Sequence, residues 1–249
     1  MTGRRLAALV LFDLVSILMA AGFVALAVWQ VERRAWKLDL IARVDARVHA
    51  LAVAAPGPAR WPGISAADDE YRRVTATGRW LDDRSALVRA VTERGEGYWV
   101  LTPLARDDGT TIFVNRGFVP EKQRDKAAWR APDGPDKTVI GLLRLSEPHG
   151  GLLRANDPAT DRWFSRDIPA IAGSRGLVAA PYFIDAERAV GATPDALPVG
   201  GLTVVAFSNN HLVYAVTWSI LALMALAGTV FASMEIWKPG RLTRRTAEG

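Results

Sequence analysis

The chain has 249 residues, half of them apolar, with 31 Lys and Arg against 26 Asp and Glu, a formal net charge of +5 and no cysteine. Without cysteine there are no disulfides, thiolate zinc sites, iron-sulfur ligands or catalytic thiol. Many of the apolar residues fall in two blocks, Leu6 to Trp29 with Asp13 as its single ionisable side chain and Leu212 to Met234 with none. Each can cross about 30 Å of hydrocarbon at about 1.5 Å rise per residue, so an ordinary soluble enzyme is not expected.

The first block has signal-peptide features, with Arg4 and Arg5 ahead of it and Ala25-Leu26-Ala27 resembling a cleavage site. Its apolar run exceeds the usual h-region, and Trp29, Gln30 and Arg33 read as an interfacial anchor, so an uncleaved helix is expected. No Arg-rich, Ser-rich leader precedes it, which makes a bacterial inner membrane the simplest location. Arg4 and Arg5 flank the first span, and Lys238, Arg241, Arg244 and Arg245 follow the second. Both termini are therefore expected in the cytoplasm and the long connection in the periplasm. The opposing Arg33, Arg34, Lys37 cluster borders a connection too long for loop charge to decide topology. Basic residues gather at membrane edges, which points to anionic lipid and not to nucleic acid.

The expected layout is a cytoplasmic N-terminus (1–5), a first transmembrane helix (6–31), a periplasmic domain (32–207), a second transmembrane helix (208–237) and a basic cytoplasmic tail (238–249). The fold class is a membrane protein of α+β type, two transmembrane helices flanking a mainly antiparallel β domain with short helices. Ile41, Val44, Val48 and Leu51 recur at helical spacing, so the first span is expected to continue as an amphipathic helix until Pro56-Gly57-Pro58. Strand signals then take over at Val74 to Leu81, Tyr98 to Ala105, Thr110 to Val119, Thr138 to Leu145, Pro181 to Ala186 and Leu202 to Ser208. Asp108-Gly109 predicts a hairpin with a type I′ turn. Asp161 to Ile171 is expected to be a short helix, with 117 to 137 and 189 to 201 as loops.

Catalytic motifs are missing. The histidines are His49, His149 and His211, without HExxH, GxSxG, a Walker loop or GxGxxG. Asp68, Asp69 and Glu70 read as a solvated acidic loop in preference to a calcium site.

The informative segments border the membrane. In AVWQVERRAWK, Trp29, Arg33 and Lys37 share a helical face with Gln30 beside them, either an aromatic belt with snorkelling cations or a face for an anionic amphiphile or partner helix. The second span opens SNNHLVYAVTW, with Asn209 or Asn210 as helix cap and His211, Tyr214, Ala215, Trp218, Ser219 and Ala222 on one stripe. That stripe suits a flat apolar ligand such as a porphyrin, with His211 as axial ligand and nearby Arg groups facing propionates. A lone interfacial histidine capped by asparagines is the alternative reading.

WQVERRAWK at 29 to 37, YRRVTATGRWL at 71 to 81, GYWVLTPL at 97 to 104, VNRGFVP at 114 to 120, NDPATDRW at 156 to 163, PYFIDAE at 181 to 187 and NNHLVYAVTW at 209 to 218 together resemble the Surfeit locus protein one, or Shy, family of cytochrome c oxidase assembly factors. The resemblance covers nearly the whole chain in order. It implies a non-enzymatic factor that assists maturation of subunit one of haem-copper oxidases in the respiratory chain, with haem a as cofactor and subunit one and haem a synthase as partners. On this reading His211 is the haem-iron ligand, and Tyr214, Trp218, Arg33, Arg34, Trp29 and Gln30 line the site. The alternative function is a structural scaffold for an assembly intermediate that binds no haem. Where many relatives have glycine two residues before the WQ pair this chain has Ala27, a methyl group expected to loosen contact between the spans at that level.

Overall fold

The computed structural model describes residues 3–125, 129–130, 136–148, 150, 154–189, 191–193, 196–203 and 207–237. The basic tail after Trp237, His149 and positions 204–206 of the expected last strand lie outside the described residues. Two compact units emerge, one formed by the terminal segments up to Ala42 and from Ala206, the other by Arg43–Val205.

The terminal unit consists of two long helices, α1 (Gly3–Val48) and α3 (His211–Trp237). The stretches Val10–Val48 and His211–Met234 are long and apolar enough to cross a membrane. Helix α1 ends at Val48 and not at the Pro56-Gly57-Pro58 turn, so Leu51, expected on its apolar face, is outside the helix and exposed. The last turn of α1 belongs to the second unit, where the Arg47 guanidinium donates to the carbonyls of Ala67 at 2.5 Å and Glu70 at 3.3 Å.

The second unit is a seven-stranded sheet: β1 (Val53–Ala54), β2 (Arg73–Trp80), β3 (Ala86–Thr92), β4 (Gly95–Ala105), β5 (Thr111–Pro120), β6 (Lys137–Leu145) and β7 (Tyr182–Ala186). The order is β1-β2-β6-β7-β5-β4-β3, and a further pairing of β2 with β4 joins Arg79 to Ala105 and Trp80 to Leu104. Strands β2, β6, β7, β5 and β4 therefore close into a ring. Most pairings are antiparallel, as the sequence indicates; β1 with β2 and β5 with β7 are parallel. Closure depends on Gly78, where a β-carbon would sit 2.2 Å from the Ala105 carbonyl oxygen, so the TGRW segment can approach β4 only without a side chain.

Alternation along each strand sends Val74, Ala76, Leu104, Ile112, Val114, Val139, Leu143, Tyr182 and Ile184 into the ring, where they form one core. Burying each of the larger of these side chains contributes about 1.5–3 kcal/mol. The opposite face carries a second core in which Ile168, Ile171 and Ala172 of α2 (Ile168–Ser174) pack with Trp163, Leu101, Phe113 and Phe183. Asp167 caps α2 by accepting from the Ala170 N–H at 3.2 Å. This helix starts seven residues later than the sequence suggests, because 157–163 is held by side-chain hydrogen bonds that compete with a helix. The Asn156 carboxamide accepts from the Phe164 and Ser165 amides, and Asp157 accepts from Thr160.

Other expectations fail for local reasons. The hairpin loop has three residues, 107–109, with Gly109 at φ +77° and Asp108 not at positive φ, so it is not type I′. The Gly109 amide donates to the Arg106 carbonyl and Arg106 pairs with Thr110, the pattern of a turn followed by a glycine bulge. Positions 117 to 119, covered by both an expected strand and an expected loop, belong to β5, which runs to Pro120 across a bulge in which Arg116 and Gly117 oppose Val100. Gly117 supplies φ +132° there, and the Asn115 side chain secures the bulge by accepting from the Gly117 amide at 3.2 Å. The short strands β1 and β3 escaped the sequence reading. The described part of 202–208 forms no strand.

The acidic run is solvated only in part: Asp68 is exposed, but Asp69 is fully buried, accepting from the Ser65 amide and paired with Arg72 at 3.4 Å and Arg60 at 3.7 Å. A larger network surrounds Asp185, which is 3% exposed. It accepts from Asn115 at 2.8 Å, Arg144 at 3.2 Å and Arg166 at 3.2 Å, while Glu147 and Glu70 satisfy the remaining guanidinium donors. The VNRGFVP and PYFIDAE blocks thus meet as neighbouring strands, which accounts for their polar residues structurally.

Candidate functional site

The site is assembled by the pairing of α1 and α3. Along α1 from Asp13 to Gln30 the positions at least partly shielded are Asp13, Ser16, Ala20, Phe23, Ala27 and Gln30, alternately three and four residues apart. On α3 they include His211, Ala215, Trp218, Ala222, Ala225 and Thr229, spaced in the same way. A 3.5-residue period makes two helices meet along a continuous seam with a left-handed crossing. Gln30 meets His211, Phe23 stacks on Trp218 with ring centroids 5.7 Å apart and planes 20° apart, and Asp13 meets Ser233, so the helices are antiparallel. Direct contacts on both sides of Ala27 show that its methyl group does not separate them. Ala20, Ala215 and Ala222 are buried, as close helix approach demands.

At one end of the seam stands His211, the first residue of α3. Asn210 occupies the cap position, its carbonyl accepting from the Tyr214 amide at 3.3 Å. The His211 Nδ1 lies 2.7 Å from Oε1 of Gln30, a carboxamide only 8% exposed. A carboxamide oxygen only accepts, so this contact is met by the neutral tautomer with its hydrogen on Nδ1, in which Nε2 keeps its lone pair. The imidazole is half-buried.

The seam sorts the expected site residues. Arg34 and Lys37 follow Gln30 on the same face at helical spacings of four and three, both half-buried, and the Lys37 ammonium lies 5.8 Å from the Phe207 ring. Arg33 turns outward and stacks its guanidinium 4.0 Å over the Trp36 ring; Trp29 and Tyr214 are exposed. His211, Gln30, Arg34 and Trp218 therefore share one side, and Trp29, Arg33 and Tyr214 lie off it. Sequence reading passed over Phe23, the stacking partner of Trp218, although the three-four alternation running from Asp13 through Gln30 marks it. Asp13 is met from α3 by Ser233, whose hydroxyl donates to Oδ2 at 3.3 Å.

The donor set limits the chemistry available. Among the described residues no group of three or more His, Asp or Glu side chains is placed to hold a metal ion, so a bare cation finds no cage. One imidazole with a free Nε2 suits a metal that brings its remaining ligands with it, such as a macrocyclic iron. Two polar atoms on α3 and its approach, Asn209 Oδ1 and Trp218 Nε1, are buried without a hydrogen-bond partner among the described residues. None of the expected site residues lies in the barrel.

The SURF1 family model matches residues 17–223, a span that contains the His211 half of the seam and the whole barrel. Human Surfeit locus protein 1 is 36% identical over 211 residues, covering 78% of this chain and 68% of its own. The Xenopus tropicalis protein of the same name is 33% identical over 222 residues, covering 81% and 69%. A SURF1-like protein of Monosiga brevicollis is 35% identical over 221 residues, covering 83% and 81%. With one family model covering the sheet and reaching into both helices, and relatives above 30% identity over most of both chains, the chain belongs to the SURF1 family.

Proposed function

We propose that this protein is an assembly factor for haem-copper oxidase that holds haem a through His211 and assists its insertion into, or retention in, oxidase subunit one. It acts without bond chemistry of its own. The observation that carries this reading is the hydrogen bond from His211 Nδ1 to Gln30, which leaves Nε2 free to ligate iron at the end of an apolar helix pair. When bound, haem a supplies the iron that accepts the imidazole lone pair and the propionates that basic groups meet. Arg34 and Lys37 stand on the His211 side for the propionates, with Arg33 beside them; Trp218, Tyr214 and Trp29 supply aromatic surface and Gln30 orients the ligand. Both helices span a bacterial inner membrane, with the termini cytoplasmic and the barrel periplasmic, and subunit one and haem a synthase are the partners.

The test is the absorption spectrum of protein purified from cells able to make haem a. His211→Ala should abolish the Soret band and lower oxidase activity in cells, and Trp218→Phe should weaken binding only in part. Full haem content with an unchanged spectrum in His211→Ala would replace this reading with a structural scaffold, for which the stacking of Trp218 on Phe23 inside the seam already gives Trp218 a purely packing role.

A further inference from the structure

A glutamine side chain inside the seam of two apolar helices is costly to keep there unless its amide is used. Gln30 is used on His211, at 2.7 Å and with its carboxamide oxygen toward the ring. The two neutral tautomers of an imidazole are close in energy, so a ring left alone at a membrane edge divides its proton between both nitrogens. A single acceptor held on Nδ1 removes that ambiguity. The acceptor is also neutral. A carboxylate in the same place would raise the basicity of the ring and strengthen its bond to a metal, whereas a carboxamide fixes direction and adds little basicity. Helix geometry supports the assignment: Phe23 and Gln30 are two turns apart on α1, Trp218 and His211 two turns apart on α3, and both pairs are in contact, so the Gln30 side chain is placed by the same register that stacks the rings.

We propose that Gln30 is a positioning residue for His211, holding the proton on Nδ1 so that Nε2 is presented as a weakly basic, releasable ligand. The tautomer assignment stands on the seam alone; the ligand role rests on the haem reading above. A factor that must pass its cargo on is served by a ligand that is well directed and easily detached.

The experiment uses the full chain in detergent or nanodiscs with nitrogen-15 histidine. With three histidines in the sequence, His211→Ala identifies the resonances of interest. In haem-free protein above the imidazole pKa, His211 should show a protonated Nδ1 and an unprotonated Nε2. Gln30→Leu, which keeps the seam apolar, should give averaged signals from both tautomers, and Gln30→Glu should restore the single tautomer. In haem-loaded protein Gln30→Leu should lower haem affinity about 10-fold or more, and Gln30→Glu should shift the haem reduction potential downward. Preserved helicity and unchanged thermal midpoints in both variants show that the pair still folds; should Gln30→Leu fail to fold, Gln30→Met gives the same reading. A wild-type Nε2–H tautomer, or an unchanged tautomer in Gln30→Leu, overturns the positioning role. An unmoved potential in a haem-bearing Gln30→Glu protein overturns the claim about basicity. A correct tautomer in protein that never carries haem leaves Gln30 positioning His211 but overturns its ligand role together with the proposed function.

Discussion

The two units treat their polar groups in opposite ways. In the barrel, Asp185 and Asp69 are buried and each is met by several donors, two guanidiniums among them in both cases. In the helix pair the buried polar side chains are few and thinly satisfied: Asp13 Oδ1, Asn209 Oδ1 and Trp218 Nε1 are the buried side-chain polar atoms among the described residues that lack a partner, and all three lie there. A fully satisfied network has little capacity left for a ligand, and leftover polarity beside a half-buried imidazole has some. The family motifs in the barrel have their polar groups met by folding partners, whereas the block at 209 to 218 keeps buried polar atoms of Asn209 and Trp218 without one among the described residues.

That contrast breaks most visibly at Asp185. Asp185→Ala leaves Arg144 and Arg166 facing each other without their shared carboxylate and should cost about 3–5 kcal/mol of barrel stability, measured by denaturant unfolding of the full chain. A change within about 0.5 kcal/mol would mean the network is not what holds these strands. Next is Gly117→Ala, in which a β-carbon would sit 2.3 Å from the Val199 carbonyl oxygen at a φ that L-residues rarely adopt. A loss of about 3 kcal/mol is expected by the same assay, since neither backbone can yield cheaply.

Changes in the helix pair should be smaller, because in the bilayer of the proposed function lipid is as apolar as the seam and lends no hydrophobic drive to association. Phe23→Ala removes the stack on Trp218 and should weaken helix pairing by about 1 kcal/mol. Ser233→Ala should cost about 0.6 kcal/mol, and cysteines at Asp13 and Ser233 should crosslink more readily than cysteines at Asp13 and Thr229. The reverse preference would shift the register by a turn.

The smallest effect concerns pH. The Arg73 guanidinium, hydrogen-bonded to Glu187 at 2.6 Å, holds that carboxyl below the usual glutamate range. A depressed folded-state pKa contributes stability above the unfolded value and loses it as pH falls through the folded one. Glu187→Gln should therefore flatten the acid side of the barrel's stability profile slightly, and added salt should do the same because the pair is partly exposed. A steeper acid limb in the variant would contradict the sign.

The sequence by itself determined what local patterning determines. Two uninterrupted apolar blocks can only be long helices, and two-residue alternation placed β2, β4, β5, β6 and β7 within a few residues. The family was legible from seven ordered blocks, and His211 and Gln30 from two of them. Pairings between distant residues were decided by the tertiary structure. Ring closure by β2 and β4 depends on Gly78, which in sequence is one more glycine near a strand. Strand β3, ALVRAVT, is apolar at five of seven positions and is held by β4 along its length, so its strand signal was present in the sequence and was passed over. The bulge at Gly117 does not show in the sequence, because a positive φ within a strand has the same local signature as a turn. At the site, helical spacing placed Tyr214 and Trp218 on one stripe, but a stripe about two-sevenths of a turn wide is divided once a second helix packs against it: Trp218 enters the seam and Tyr214 stays exposed. The orientation of the His211 ring belongs to that same class, because it is set by a glutamine 181 positions away in the chain, and only the register of the two helices brings them together.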